Sequence, residues 1–129
     1  MSGILLDTHV FLWWQAGDRR LGPAAFEVIA DPANRVFVSA ASVWEIALKA
    51  RRGKLSFAAS PTAAIAANAF HELPIHAIEA EEAGALAWAH PDPFDRLLVA
   101  QAIRHSLVLI SADDEIRKFN GVAQLRTAP

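Results

Sequence analysis

Four acidic residues far apart in the chain stand where carboxylates could do joint work. Asp7 directly follows the apolar run Ile4 to Leu6, and Asp113 comes just after the run Leu107 to Ile110. Asp95 opens the apolar stretch Leu97 to Ile103, and Glu45 lies one to two turns beyond Val36 to Val38. Gathered on one rim, four carboxylates would repel one another and hold their protons more tightly, and a divalent cation would resolve the conflict. The chain has no cysteine, and its histidines (His9, His71, His76, His90 and His105) show no compact ligand spacing, so they read as structural or surface groups. Oxygen donors alone favour Mg2+ or Mn2+ over zinc; Mg2+ typically takes one or two carboxylates, several waters and phosphate oxygens, which makes a phosphodiester the natural substrate.

Each acid also has a plainer reading. Asp7, Asp95 and Asp113 could each cap a helix, and Glu45 could close a capping box with Ser42, because such residues are favoured at helix starts for backbone reasons alone. Only their convergence on one rim separates the two readings. Two positions have competitors. Asp92 stands shortly before Asp95 and Asp114 follows Asp113. Asp95 is preferred because it immediately begins the apolar helix, which leaves Asp92 to support Arg96 or the loop, or to reach a metal through water.

The elements that must position these groups alternate in type. Short apolar or β-branched strands are expected at Ile4 to Leu6, Val36 to Val38, Leu73 to Ile75 and Leu107 to Ile110. Helices are expected between them: Val10 to Trp14 stopping at Gly17, a helix opened by Pro23, one offered N-cap oxygens by Ser39 and Ser42, and one begun by Ser60-Pro61. Further helices follow over Glu79 to Trp88, over the stretch capped by Asp95, and from Asp113-Asp114 to Phe119, while His90-Pro91-Asp92-Pro93-Phe94 reads as a loop. The alternation implies βαβ units, hence a parallel sheet with helices on both faces and ligands outside the carboxyl ends of the strands.

Composition bounds the answer. With 129 residues, 53% of them hydrophobic and 20% charged, the chain suits one domain spanning residues 1–129 with a substantial core. Met1 to Trp14 carries no Lys or Arg and holds Asp7 inside its apolar run, unlike a secretory signal. The uncharged stretch Leu55 to Phe70 is too polar and short to span a bilayer, so the expectation is no membrane and a cytoplasmic location. A net charge of −2 argues against bulk attraction to nucleic acid, yet setting four of the 14 acids aside in a metal site leaves ten against 12 Lys and Arg. A metal-assisted nuclease is therefore permitted. Lys49, Arg51, Arg52, Lys54 and Arg96 could guide nucleic-acid phosphates, although Lys49, Arg51 and Arg52 are better read as a solvated, dipole-compensating helix end. The run Phe11-Leu12-Trp13-Trp14 is too wide for one helix face, so it reads mainly as core, with at least one aromatic left outside for a partner or dimer groove.

Together these segments resemble a known family. Leu5-Leu6-Asp7-Thr8, Val38-Ser39-Ala40-Ala41-Ser42-Val43-Trp44-Glu45-Ile46, Asp92-Pro93-Phe94-Asp95-Arg96-Leu97-Leu98-Val99-Ala100-Gln101-Ala102 and Ile110-Ser111-Ala112-Asp113 are similar, in that order, to the motifs of PIN-domain ribonucleases, and most of all to VapC-like toxins. The resemblance implies a three-layer α/β/α sandwich with a short, mostly parallel sheet, Mg2+- or Mn2+-dependent endoribonuclease activity, a cognate antitoxin and a homodimer. It places the family's acids on Asp7, Glu45, Asp95 and Asp113, choosing Asp113 through the Ser111-x-Asp113 pattern, and its small hydroxyl residues on Thr8, Ser39 and Ser111 as supports for the carboxylates. Two other readings compete. One is a noncatalytic RNA- or partner-binding module; the other, a receiver-like signalling domain, wants an early acidic pair, whereas Leu6 precedes Asp7.

Overall fold

A computed structural model describes residues 3–57 and 60–127, so Ala58 and Ala59, within the uncharged stretch noted above, lie outside the described residues. Strands β1 (Gly3–Leu6), β2 (Arg35–Ser39), β3 (His71–Leu73), β4 (Val108–Ser111) and β5 (Gln124–Arg126) form one sheet in the order β3-β2-β1-β4-β5, with every pairing parallel. Among the described residues the helices are α1 (Thr8–Ala16), α2 (Pro23–Ala30), α3 (Ala40–Arg51), α4 (Pro61–Ala67), α5 (Ala77–Ala85), α6 (Pro93–Arg104) and α7 (Asp114–Arg117), with a 3-10 turn at Arg19–Leu21.

The central strands β1, β2 and β4 are mostly apolar because both their faces are covered. Ile4, Leu6, Val38 and Ile110 pack with Val10 and Phe11 of α1, Ile29 of α2, Ile46 of α3 and Ile65 of α4. Leu5 and Leu109, which point the other way, pack with Leu98, Val99 and Ala102 of α6 and Ile116 of α7. The result is the expected α/β/α sandwich, with β1 at its centre. In register, Leu6 lies beside both Val38 and Ile110, so the next residues, Asp7, Ser39 and Ser111, emerge side by side at the carboxyl rim. Among the described residues no helix is long and apolar enough to cross a membrane.

Several boundaries differ from expectation, each for a local reason. The third strand ends at Leu73 instead of running to Ile75, because Pro74 has no N–H for the ladder. The helix expected over Glu79 to Trp88 begins earlier, at Ala77, where His76 and Glu79 form a capping box, and ends at Ala85. Ser39, not Ser42, caps α3: its hydroxyl accepts the Ala41 N–H at 3.0 Å, which leaves Ser42 inside the helix. Asp92, not Asp95, caps α6, accepting the N–H groups of Phe94 and Asp95 at 2.9 and 3.1 Å. Pro93 then occupies the first helical position, where its missing N–H costs nothing. The edge strand β5 was not anticipated; the Gln124 side-chain amide pins it to the carbonyls of Ile116 and Phe119, both at 2.9 Å.

Candidate metal centre

Asp7 is nearly inaccessible, at 3% exposure. It caps α1 by accepting the Val10 N–H at 2.9 Å on Oδ1, while Oδ2 accepts the Ser111 hydroxyl. Burial pushes its carboxyl above the ordinary range, against the pull of Ser111, the Val10 N–H, His9 and the Ala112 N–H. The adjacent Thr8 hydroxyl lies 2.6 Å from Glu45 Oε1 and 2.9 Å from Ser42 Oγ. The other oxygen of Glu45 accepts from Lys49 Nζ at 2.7 Å, one turn along α3.

Asp113 caps α7, accepting the N–H groups of Glu115 and Ile116 at 2.8 and 3.1 Å, and its own N–H donates to Ser111 Oγ at 3.0 Å. One serine hydroxyl therefore joins Asp7 to the backbone of Asp113. Asp95, freed from capping by Asp92, stands 2.7 Å through Oδ2 from His90 Nε2. Burial drives its pKa up to about 7; the hydrogen bond from His90 opposes the rise, and the nearby charges of Asp92 and Asp113 add to it.

These geometries bring His90, Asp95 and Asp113 together with one ligand atom from each within 4.8 Å of the others. Asp7 is tied to this cluster through Ser111, and Glu45 is tied to the Asp7 side through Thr8. The donor set fits a divalent cation: two carboxylates and an imidazole at metal-sharing separations, with one acid whose proton affinity is raised first by burial and then by neighbouring negative charge. His90 was the residue missed. Its only signal in the sequence was its place in the proline-stiffened loop leading to Asp95, and the histidine spacing gave no hint of it.

Two expected roles are corrected. Ser39 does not support a carboxylate of the cluster, because its hydroxyl donates to Gln101 Oε1 at 2.5 Å and so links the end of β2 to α6. Arg96 is not free to guide RNA. Its guanidinium donates to the carbonyls of Ala83, Gly84, Leu86, Trp88 and His90, at 2.9, 3.3, 2.9, 2.6 and 3.0 Å. By gripping the chain on both sides of Trp88, it fixes the loop that carries His90 beside Asp95. Lys49 is engaged by Glu45, whereas Arg51 and Arg52 are exposed at the carboxyl end of α3, where positive charge complements the helix dipole. Next to Thr8 opens a cavity of about 710 Å³ lined by His9, Leu12, Trp13, Arg20, Lys49, Lys54 and Phe57 among others.

The chain is 35% identical over 120 residues to Ribonuclease VapC22 of Mycobacterium tuberculosis, covering 91% of this chain and 92% of that protein. Its fold matches a chain of VapBC2 from Rickettsia felis bound to a promoter DNA fragment, with a TM-score of 0.67 at 11% identity, covering 98% of this chain and 99% of that one. It also matches a chain of a toxin-antitoxin complex from Klebsiella pneumoniae, with a TM-score of 0.65 at 22% identity, covering 93% and 95%. Residues 4–122, which hold all four acids and His90, match the PIN domain family, and the chain belongs to it.

Proposed function

We propose that this chain is a divalent-metal-dependent endoribonuclease and the toxin of a toxin-antitoxin pair. The observation that carries the reading is the meeting of Asp95, Asp113 and His90 within 4.8 Å, with Asp7 and Glu45 hydrogen-bonded alongside, in a chain 35% identical to a protein named as a ribonuclease. Asp7, Asp95, Asp113 and Glu45 are the residues that would hold Mg2+ or Mn2+. When bound, the ion supplies positive charge to the scissile phosphate and to the departing oxygen, and lowers the pKa of water.

The side chains divide the remaining work. Ser111 holds the Asp7 carboxylate, and Thr8 holds Glu45, so neither acid swings away from the rim. Both oxygens of Glu45 are already engaged, by Thr8 and Lys49, whereas among the described residues Asp95 is held through Oδ2 alone, by His90, which makes Asp95 the better placed acid to take a proton from the attacking water. The cavity beside Thr8 combines apolar Leu12, Trp13 and Phe57 with cationic Arg20, Lys49 and Lys54. It suits the antitoxin: a segment with an apolar face and acidic side chains would fill it and cover the approach to the acids.

The test is direct. Purified chain should cleave RNA with Mg2+ or Mn2+, stop with EDTA, and fall silent in Asp7→Asn and Asp113→Asn variants that keep their fold. Metal-independent cleavage, or full activity in both variants, would overturn the reading.

A further inference from the structure

We propose that His90 is itself a metal donor of this centre, beside Asp95 and Asp113, and that its imidazole turns the site from Mg2+ toward first-row transition ions such as Mn2+. The inference rests on the metal-centre reading above and adds a nitrogen to what the sequence presented as an oxygen-only set.

Three observations lead there. One ring nitrogen of His90 is among three ligand atoms lying within 4.8 Å of one another, with a carboxylate oxygen from Asp95 and one from Asp113. The Nε2 itself stands 2.7 Å from Asp95 Oδ2. Adjacent donors on one octahedral ion with bonds of about 2.1 Å lie about 3 Å apart, so the two atoms already stand near the spacing of a shared cation. The ring is also built into place. Arg96 takes the His90 carbonyl and four more from the preceding segment, and the Trp88 ring packs with its centroid 4.9 Å from the imidazole. This is the kind of support that holds a ligand before the ion arrives. Other histidines have other occupations: His105 pairs with the buried Glu79, and His9 is exposed beside Trp13.

A competing role for His90 is to neutralise and orient Asp95 without touching the ion. The two roles differ in what they do to metal choice. Mg2+ is hard and oxygen-seeking, whereas an imidazole nitrogen favours transition ions, so a ligand histidine separates the two metals and a merely orienting one affects both alike.

The experiment titrates Mn2+ and, separately, Mg2+ into the untagged full chain and into His90→Gln, with pulsed EPR of the Mn2+-loaded samples read for hyperfine coupling to a directly bound nitrogen. The wild type should show that coupling, and His90→Gln should lose it together with at least about ten-fold in Mn2+ affinity, while Mg2+ affinity changes far less. Absence of nitrogen coupling in the wild type overturns the proposal without recourse to the variant, as does an equal loss of Mg2+ and Mn2+ affinity in His90→Gln. A wild type that shows the nitrogen coupling yet cleaves no RNA would sink the ribonuclease reading and leave the ligand assignment standing.

Discussion

The Thr8 hydroxyl meets Glu45 Oε1 at 2.6 Å, although the two residues stand 37 positions apart in the chain. Thr8 begins the first helix after β1 and Glu45 lies inside the helix after β2, so this bond fastens two neighbouring crossover helices at the rim where the acids gather. Thr8→Val keeps the shape and removes the hydroxyl. It should lower stability by about 1–3 kcal/mol, because Glu45 is 6% exposed and loses a partner. Metal affinity should also fall by about 10- to 100-fold. Urea unfolding and calorimetric metal titration check the two effects separately.

Asp113→Asn should remove one of the negative charges that raise Asp95, so the Asp95 pKa should fall below about 7. Its side-chain carbonyl can still accept the Glu115 and Ile116 N–H groups, so the cap on α7 and the circular dichroism spectrum should survive. Carboxyl carbon NMR over a pH series reads the shift; an unmoved Asp95 would show that the two acids do not sense each other.

The metal-free chain should become more stable as pH falls from about 7 toward 4. Over that window folded Asp95 keeps a proton that the unfolded chain, with its ordinary value near 3.8, has released, so folding takes up protons and acid favours it. The gain is on the order of 4 kcal/mol at most, and buried Asp7, whose carboxyl is also raised, adds in the same direction. Glu79 works oppositely. Although burial pushes it up, hydrogen bonds from the His76 N–H, His105 and Gln101 outweigh that and hold it below 4.5, so its contribution is lost only as pH falls through that lower value. Urea midpoints at pH 5 and pH 7.5 test the prediction, and added Mn2+ should reverse the order because protons compete with the cation.

Arg96→Lys should loosen the segment between α5 and α6. An ammonium offers three donors from one point and cannot span the five carbonyls that the guanidinium reaches. Stability should drop by about 2–4 kcal/mol, and the amides of residues 86–92 should exchange hydrogen faster than those of β1. RNA cleavage should fall with them, since His90 and Asp95 depend on the same tether.

Much of this arrangement was legible in the sequence because apolar runs ending in Asp7 and Ser111 mark strands whose carboxyl ends lie level. The helix starts were harder. Asp92 and Asp95 are both good cap residues, and the deciding signal was Pro93, which fits the first helical position and so hands the cap to the residue before it. Ser39 and Ser42 posed the same choice, settled by where β2 stops. The roles of His90 and Arg96 were harder still to read, because they depend on how the segment before α6 packs against Arg96, which no periodicity encodes. The three-residue strand β5 gave no pattern beyond a single Leu between polar neighbours.

Arg96 holds the segment before α6 by its main-chain oxygens, and a carbonyl is the same whatever side chain hangs beside it. Ala87 and Ala89, both exposed, are thus at liberty to change, and the path of the backbone would be unaltered. The surface around the acids can be redecorated residue by residue, for a new RNA or a new inhibitor, without disturbing the posture of the histidine beneath it.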